Sequence, residues 1–122
     1  NELIFTVNDD KKKIAALKKA GARPILLPNR KGRVELKKVL QRLAEYEINE
    51  VLVEAGSKLN GALIKAELID ELIIYLAPHL IGSTGLGMLQ LSELSNLSEK
   101  YNLKIQDLRM VGKDIRIIAR AI

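Results

Sequence analysis

The sequence predicts an α/β fold: a mostly parallel sheet with flanking helices, closed by a C-terminal antiparallel hairpin. Three observations carry this. Short apolar, β-rich runs alternate with helical segments as far as Ala77. The alternation stops at Pro78 and gives way to the glycine-rich Gly82–Gly87. Two strand-like runs at the end then meet at Gly112-Lys113, a hairpin signal.

Leu3–Val7 reads as the first strand, ended by Asn8-Asp9-Asp10, residue types that cap helices. A helix is expected over Lys11–Ala20, with Ile14, Leu17 and Ala20 on one face and Gly21 at the C′ position. Arg23–Leu27 is the second strand, closed by Pro28-Asn29. After the basic loop Arg30–Arg33, Val34–Tyr46 has the apolar stripe of an amphipathic helix in Leu36, Val39, Leu40 and Leu43. Glu50–Glu54 (EVLVE) predicts a third strand, Ser57–Glu67 a helix and Asp70–Ala77 a fourth strand. Leu89–Ser98 reads as mixed, with one helical turn. Asn102–Val111 and Asp114–Ala121 form the hairpin.

Composition narrows the function classes. The 122 residues are 48% hydrophobic and 29% charged, the balance of a globular chain with an aliphatic core. No apolar run approaches the roughly 20 residues of a membrane span, and no signal-peptide pattern is present. With no cysteine and a single His79, thiolate and histidine-cluster metal sites are excluded, and a reducing, cytoplasmic setting is expected. The formal charge of +5 lies in the first half: residues 1–60 hold 13 Lys and Arg against 8 Asp and Glu, while the remainder balances. Such a basic half attracts phosphorylated molecules, although solvated lysines account for most of it, Lys11–Lys13 included. No aromatic platform supports nucleic-acid binding. The opening on Asn1, directly before a strand with nothing upstream to pair with it, predicts missing upstream sequence.

The most informative stretch is Val51–Ile64 (VLVEAGSKLNGALI). A buried strand would end in the carboxylate of Glu54 and turn through Ala55-Gly56 into a helix starting near Ser57. Ligands in α/β sheets bind at strand carboxyl ends, and free N–H groups at a helix start suit phosphate. Glu54 would accept hydrogen bonds from a non-anionic part of the same ligand set. The residues alone leave two alternatives open: an ordinary turn, and a surface salt bridge for Glu54.

Three blocks, Glu54-Ala55-Gly56-Ser57-Lys58-Leu59-Asn60-Gly61, Ile69-Asp70-Glu71-Leu72 and Ala77-Pro78-His79-Leu80-Ile81-Gly82, closely resemble the reductase domain of bifunctional riboflavin-biosynthesis deaminase–reductases. The family pattern runs V-E-G/A/S-G-x-x-L-x-G, V-D-E-L and A-P-K-L-L-G at matching spacing. Gly32-Arg33-Val34 with Leu36, and Val111-Gly112-Lys113-Asp114-Ile115, extend the resemblance over essentially the whole chain.

The resemblance implies a dihydrofolate-reductase-like fold. It implies NADPH-dependent reduction of the ribosyl group of 5-amino-6-(5-phosphoribosylamino)uracil to the ribitylamino product. Residues 1–122 would be the C-terminal portion of one reductase domain, the rest of that domain and a deaminase domain lying outside it. It assigns Glu54 to substrate. Ala55, Gly56, Ser57, Lys58, Leu59 and Asn60 go to the cofactor, and Thr6 to the adenosine 2′-phosphate. Ala55-Gly56 matches a Gly-Gly turn that commonly holds a cis peptide in this fold. His79 stands where the family usually has Lys and reads as a loop residue; Gly82–Gly87 reads as structural. A phosphorylated pyrimidine substrate and a homodimer complete the expectation. The alternatives are a related pyrimidine or folate-type reductase and a non-catalytic dimerisation half.

Overall fold

In the computed structural model, residues 2–29, 31–92, 96 and 100–122 are described. They fall into two compact units, residues 1–53 and 54–122, and each is taken by itself.

In the first unit, β1 (Leu3–Thr6), α1 (Lys11–Lys19) and β2 (Arg23–Leu26) form a βαβ element. The strands are parallel, with Leu3 opposite Arg23 and Thr6 opposite Leu26. α1 starts where the capping residues predict. Asp10 Oδ1 accepts from the backbone N–H of Lys12 at 2.9 Å and of Lys13 at 3.2 Å. It ends in a Schellman motif: Ala22 N–H donates to Leu17 and Gly21 N–H to Lys18, with Gly21 at φ 89°, where a Cβ is penalised. α2 (Leu36–Glu45) half-buries the expected stripe, and the Arg23 guanidinium lies 4.9 Å from the centroid of the Tyr46 ring at its end.

The second unit holds α3 (Ser57–Lys65), β3 (Glu71–Leu76), β4 (Leu103–Val111) and β5 (Asp114–Ala121). The strands make an antiparallel sheet in the order β3-β5-β4, the last two joined through Gly112-Lys113. Register puts Leu72, Ile74 and Leu76 on one face with Ala119, Ile117 and Ile115, and with Ile105, Leu108 and Met110. That face is wholly apolar, and its β4 members are about 60% exposed. The opposite face carries Glu71, Tyr75, Asp107, Arg109, Arg116 and Arg120. A bulge at Gln106 lets Leu103 and Ile105 share a face with Leu108 and Met110 despite the odd spacing between them.

Arg109 and Arg116 sit directly opposite each other on neighbouring strands, a like-charge pair that costs stability. Asp107 Oδ2 offsets this by accepting from both, from Arg109 Nε at 2.8 Å and Arg116 Nη2 at 2.9 Å. Hydrogen bonds from Arg116 first and Arg109 second hold its carboxyl below the ordinary aspartate value. A folded-state value below the unfolded one gives a contribution that is complete above about pH 4 and disappears as pH falls through the folded value. We therefore expect Asp107→Asn to lower the melting temperature at neutral pH and to flatten its decline as pH falls below about 4, as followed by circular dichroism.

Two expectations change. Glu50–Glu54 belongs to neither sheet of the described residues, and Val51, Leu52 and Val53 are exposed. Strand propensity becomes a strand only where a neighbouring chain supplies a ladder, and none pairs here. The strand read at Asp70–Ala77 pairs antiparallel with β5, so among the described residues parallel pairing is confined to β1 and β2. The α/β class and the hairpin stand as read. The turn expected within Leu89–Ser98 falls largely outside the described residues; Leu89–Ser92 is irregular. Among the described residues no helix is long and apolar enough to cross a membrane.

Candidate functional site

Glu54 opens the second unit, exposed, with no ion-pair partner among the described residues, which removes the salt-bridge alternative within that set. The chain then turns through Ala55 and Gly56. Gly56 serves as the N-cap of α3 in extended conformation (φ −78°, ψ 168°) and offers no side-chain cap. The first turn's own bonds begin at Leu59 and Asn60, whose N–H groups both donate to the Gly56 carbonyl at 3.1 Å. The N–H groups of Ser57 and Lys58 precede them and have no backbone partner among the described residues, which leaves the positive end of the helix dipole open over this turn. A Cβ placed on Gly56 would meet nothing within 4 Å, which leaves the backbone open to close approach. A concavity of about 360 Å³ lies over this turn, lined by Ala55, Gly56, Ser57, Lys58 and Leu59.

No cis peptide occurs among the described residues, so Ala55-Gly56 is trans here, the form favoured by about 3–4 kcal/mol for a non-proline bond.

Asn60 uses its amide differently from its neighbours. Nδ2 donates to the Ala55 carbonyl at 3.0 Å and, at the long limit of 3.5 Å, to the Met88 carbonyl. Leu89–Leu91 runs beside α3, and Gln90 N–H donates to the Ser57 carbonyl at 2.9 Å. Further along, Lys65 Nζ lies 3.3 Å from Ser92 Oγ. Ser57, Gly61 and Lys65 are spaced i, i+4, i+8, so one stripe of the helix carries residues 88–92 as a strap. Gly61 is buried under it: a Cβ there would collide with the Gln90 carbonyl, whose carbon would be 2.7 Å away.

The strap was not legible as a site. Apart from Ser92 Oγ, its contacts come from backbone atoms of Met88 and Gln90, whose side chains advertise nothing. The available sign was Gly61, since a glycine inside a helix costs about 1 kcal/mol and so has a packing reason.

Thr6 lies in the first unit at the end of β1. Its Oγ1 accepts from Asn8 N–H at 3.0 Å, which leaves the hydroxyl hydrogen to donate elsewhere. His79 follows β3 in an exposed loop, as read.

The fold class is shared with solved structures. Over 98% of this chain, an Acinetobacter baumannii RibD structure superposes with a TM-score of 0.81 at 27% identity, covering 31% of that chain. A pyrimidine reductase-like protein from Corynebacterium diphtheriae superposes at 0.76 with 16% identity, covering 98% of this chain and 50% of that one, a likeness of fold alone. This is the dihydrofolate-reductase-like α/β class.

The chain belongs to the RibD C-terminal domain family, whose model matches residues 1–117. It is 41% identical over 93 residues to the riboflavin biosynthesis protein RibD of Escherichia coli, covering 76% of this chain and 25% of that protein. It is 37% identical over 86 residues to the 5-amino-6-(5-phosphoribosylamino)uracil reductase of Buchnera aphidicola, 70% of this chain and 42% of that one. The chain thus spans a quarter to two fifths of these relatives' length.

Proposed function

We propose that this chain forms part of an NADPH-dependent reductase that converts the ribosyl group of 5-amino-6-(5-phosphoribosylamino)uracil to ribityl in riboflavin biosynthesis. The observation that carries the reading is the uncapped start of α3 beside Glu54, in a chain of this family. The residues fit a dinucleotide. Two outward N–H groups, the Lys58 side chain and an unobstructed Gly56 suit a pyrophosphate, as helix N-termini commonly do. Ala55 and Leu59 line the same concavity with apolar surface.

In this reading NADPH supplies the hydride when bound, and the protein binds and orients. Ser57 and Lys58 hold the diphosphate through their N–H groups. Glu54 accepts hydrogen bonds from sugar hydroxyls and so fixes the face of the ribose presented for reduction. Thr6, in the other unit, is assigned by family pattern to the adenosine 2′-phosphate, to which its free hydroxyl hydrogen can donate. The reading includes a phosphorylated pyrimidine substrate and a homodimer. Support for the dimer is the exposed apolar side of β4, an edge strand.

The test compares cofactors in the full-length protein by following absorbance loss during turnover of 5-amino-6-(5-phosphoribosylamino)uracil. We expect kcat/KM for NADPH to exceed that for NADH by about tenfold or more, the worth of one charge-assisted contact. Equal values would remove the 2′-phosphate assignment, and no turnover with either would remove the function.

A further inference from the structure

We propose that Asn60 is a positioning residue: its carboxamide clamps the Ala55-Gly56 turn to the Met88–Ser92 strap and so sets the start of α3 for its ligand. This rests on the reading that α3 receives the dinucleotide, and it departs from the direct cofactor contact that the family pattern assigns to this position.

The geometry gives the reason. The carboxamide nitrogen donates to the Ala55 carbonyl before the helix at 3.0 Å and reaches the Met88 carbonyl beyond it at the long limit of 3.5 Å. A nitrogen so engaged is turned to the backbone rather than to a phosphate. The same side chain thus closes a ring from Ala55 through α3's first turn to the strap, which returns through Gln90 N–H to the Ser57 carbonyl. Ser57 is held from both sides, by helix geometry and by Gln90, and it lines the concavities above and beside the turn. Gly61 completes the device, because its missing side chain is what lets Gln90 approach. Any shift of the strap therefore moves the N–H groups offered to the diphosphate, and a misplacement near 1 Å at a binding group has large kinetic consequences.

The chemistry demands a donor at position 60. A carboxylate would set two negative oxygens against two carbonyls and could donate to neither. An aspartate of the same shape should therefore be no better than alanine here, a signature that a simple packing role would not produce. NADP⁺ affinity is measured by calorimetry at pH 8 on full-length wild type, Asn60→Asp and Asn60→Ala.

We expect Asn60→Ala to bind about tenfold more weakly and Asn60→Asp at least as weakly. A ratio to wild type near one for either variant would overturn the proposal. Asn60→Ala alone suffices if the charged variant does not fold. Amide exchange at Gln90 without ligand separates the two ideas. If wild type binds no NADP⁺, the dinucleotide reading and the positioning role fail together, while faster Gln90 exchange in the variants would still show the clamp. Faster exchange with unchanged affinity would sink the positioning role alone.

Discussion

Glu54→Gln in the full-length protein is expected to lower kcat/KM for the proposed reduction by about 10- to 100-fold, the loss that follows when a hydrogen bond to a charged group worth about 1.5–3 kcal/mol is weakened. The substitution keeps size and shape but replaces an acceptor-only carboxylate with an amide whose NH₂ would face a hydroxyl. Because Glu54 is exposed and has no ion-pair partner among the described residues, its removal leaves folding untouched. Melting curves of variant and wild type should coincide while turnover falls. Unchanged turnover would remove Glu54 from the site, and a collapse of stability would assign it a structural role instead.

Leu63→Ala is expected to cost about 2–5 kcal/mol, the range for truncating a buried leucine, read by denaturant unfolding of the full-length protein. Leu63 is 5% exposed and joins Leu27 and Ala119 as the buried apolar side chains of the described residues. With so few deeply buried groups, each carries a large share of a stability that is commonly about 5–15 kcal/mol. The leucine sits on α3 two residues after Gly61, so its loss should loosen the helix that bears the candidate site. A cost below about 1 kcal/mol would mean that the helix is held by other contacts.

What the residues revealed follows from which interactions are local. α1 was legible from cap to C′ because Asp10 and Gly21 act within a few positions of themselves. α2 was legible because its stripe repeats at helical spacing, and the hairpin because Gly112-Lys113 forms its own turn. Val51–Val53 failed because an apolar run encodes a willingness to pair, not the presence of a partner. β3 was found, but its neighbour β5 lies about forty residues along the chain, and alternation does not name a partner at that distance. At the site the turn Glu54–Ser57 was readable from residue types. The strap was not, since carbonyls and N–H groups belong to every residue.

Helices α2 and α3 add a smaller lesson: both end in the same Schellman geometry as α1, but with Glu47 (φ 59°) and Glu67 (φ 54°) where glycine would be expected. Tertiary context tolerates a left-handed residue that local preference disfavours.

The extra residue at Gln106 has an outcome for how this strand can change length. Leu103 and Ile105 before it and Leu108 and Met110 after it look the same way only because one position is skipped in the ladder. Deleting Gln106 would restore plain alternation and leave every oily side chain where it was. The loss of any single residue between Leu108 and Met110 would instead turn the residues beyond it over, bringing grease to the arginine side. Within β4, position 106 is thus the place where the chain can shorten by one without rewriting what each side of the ribbon presents.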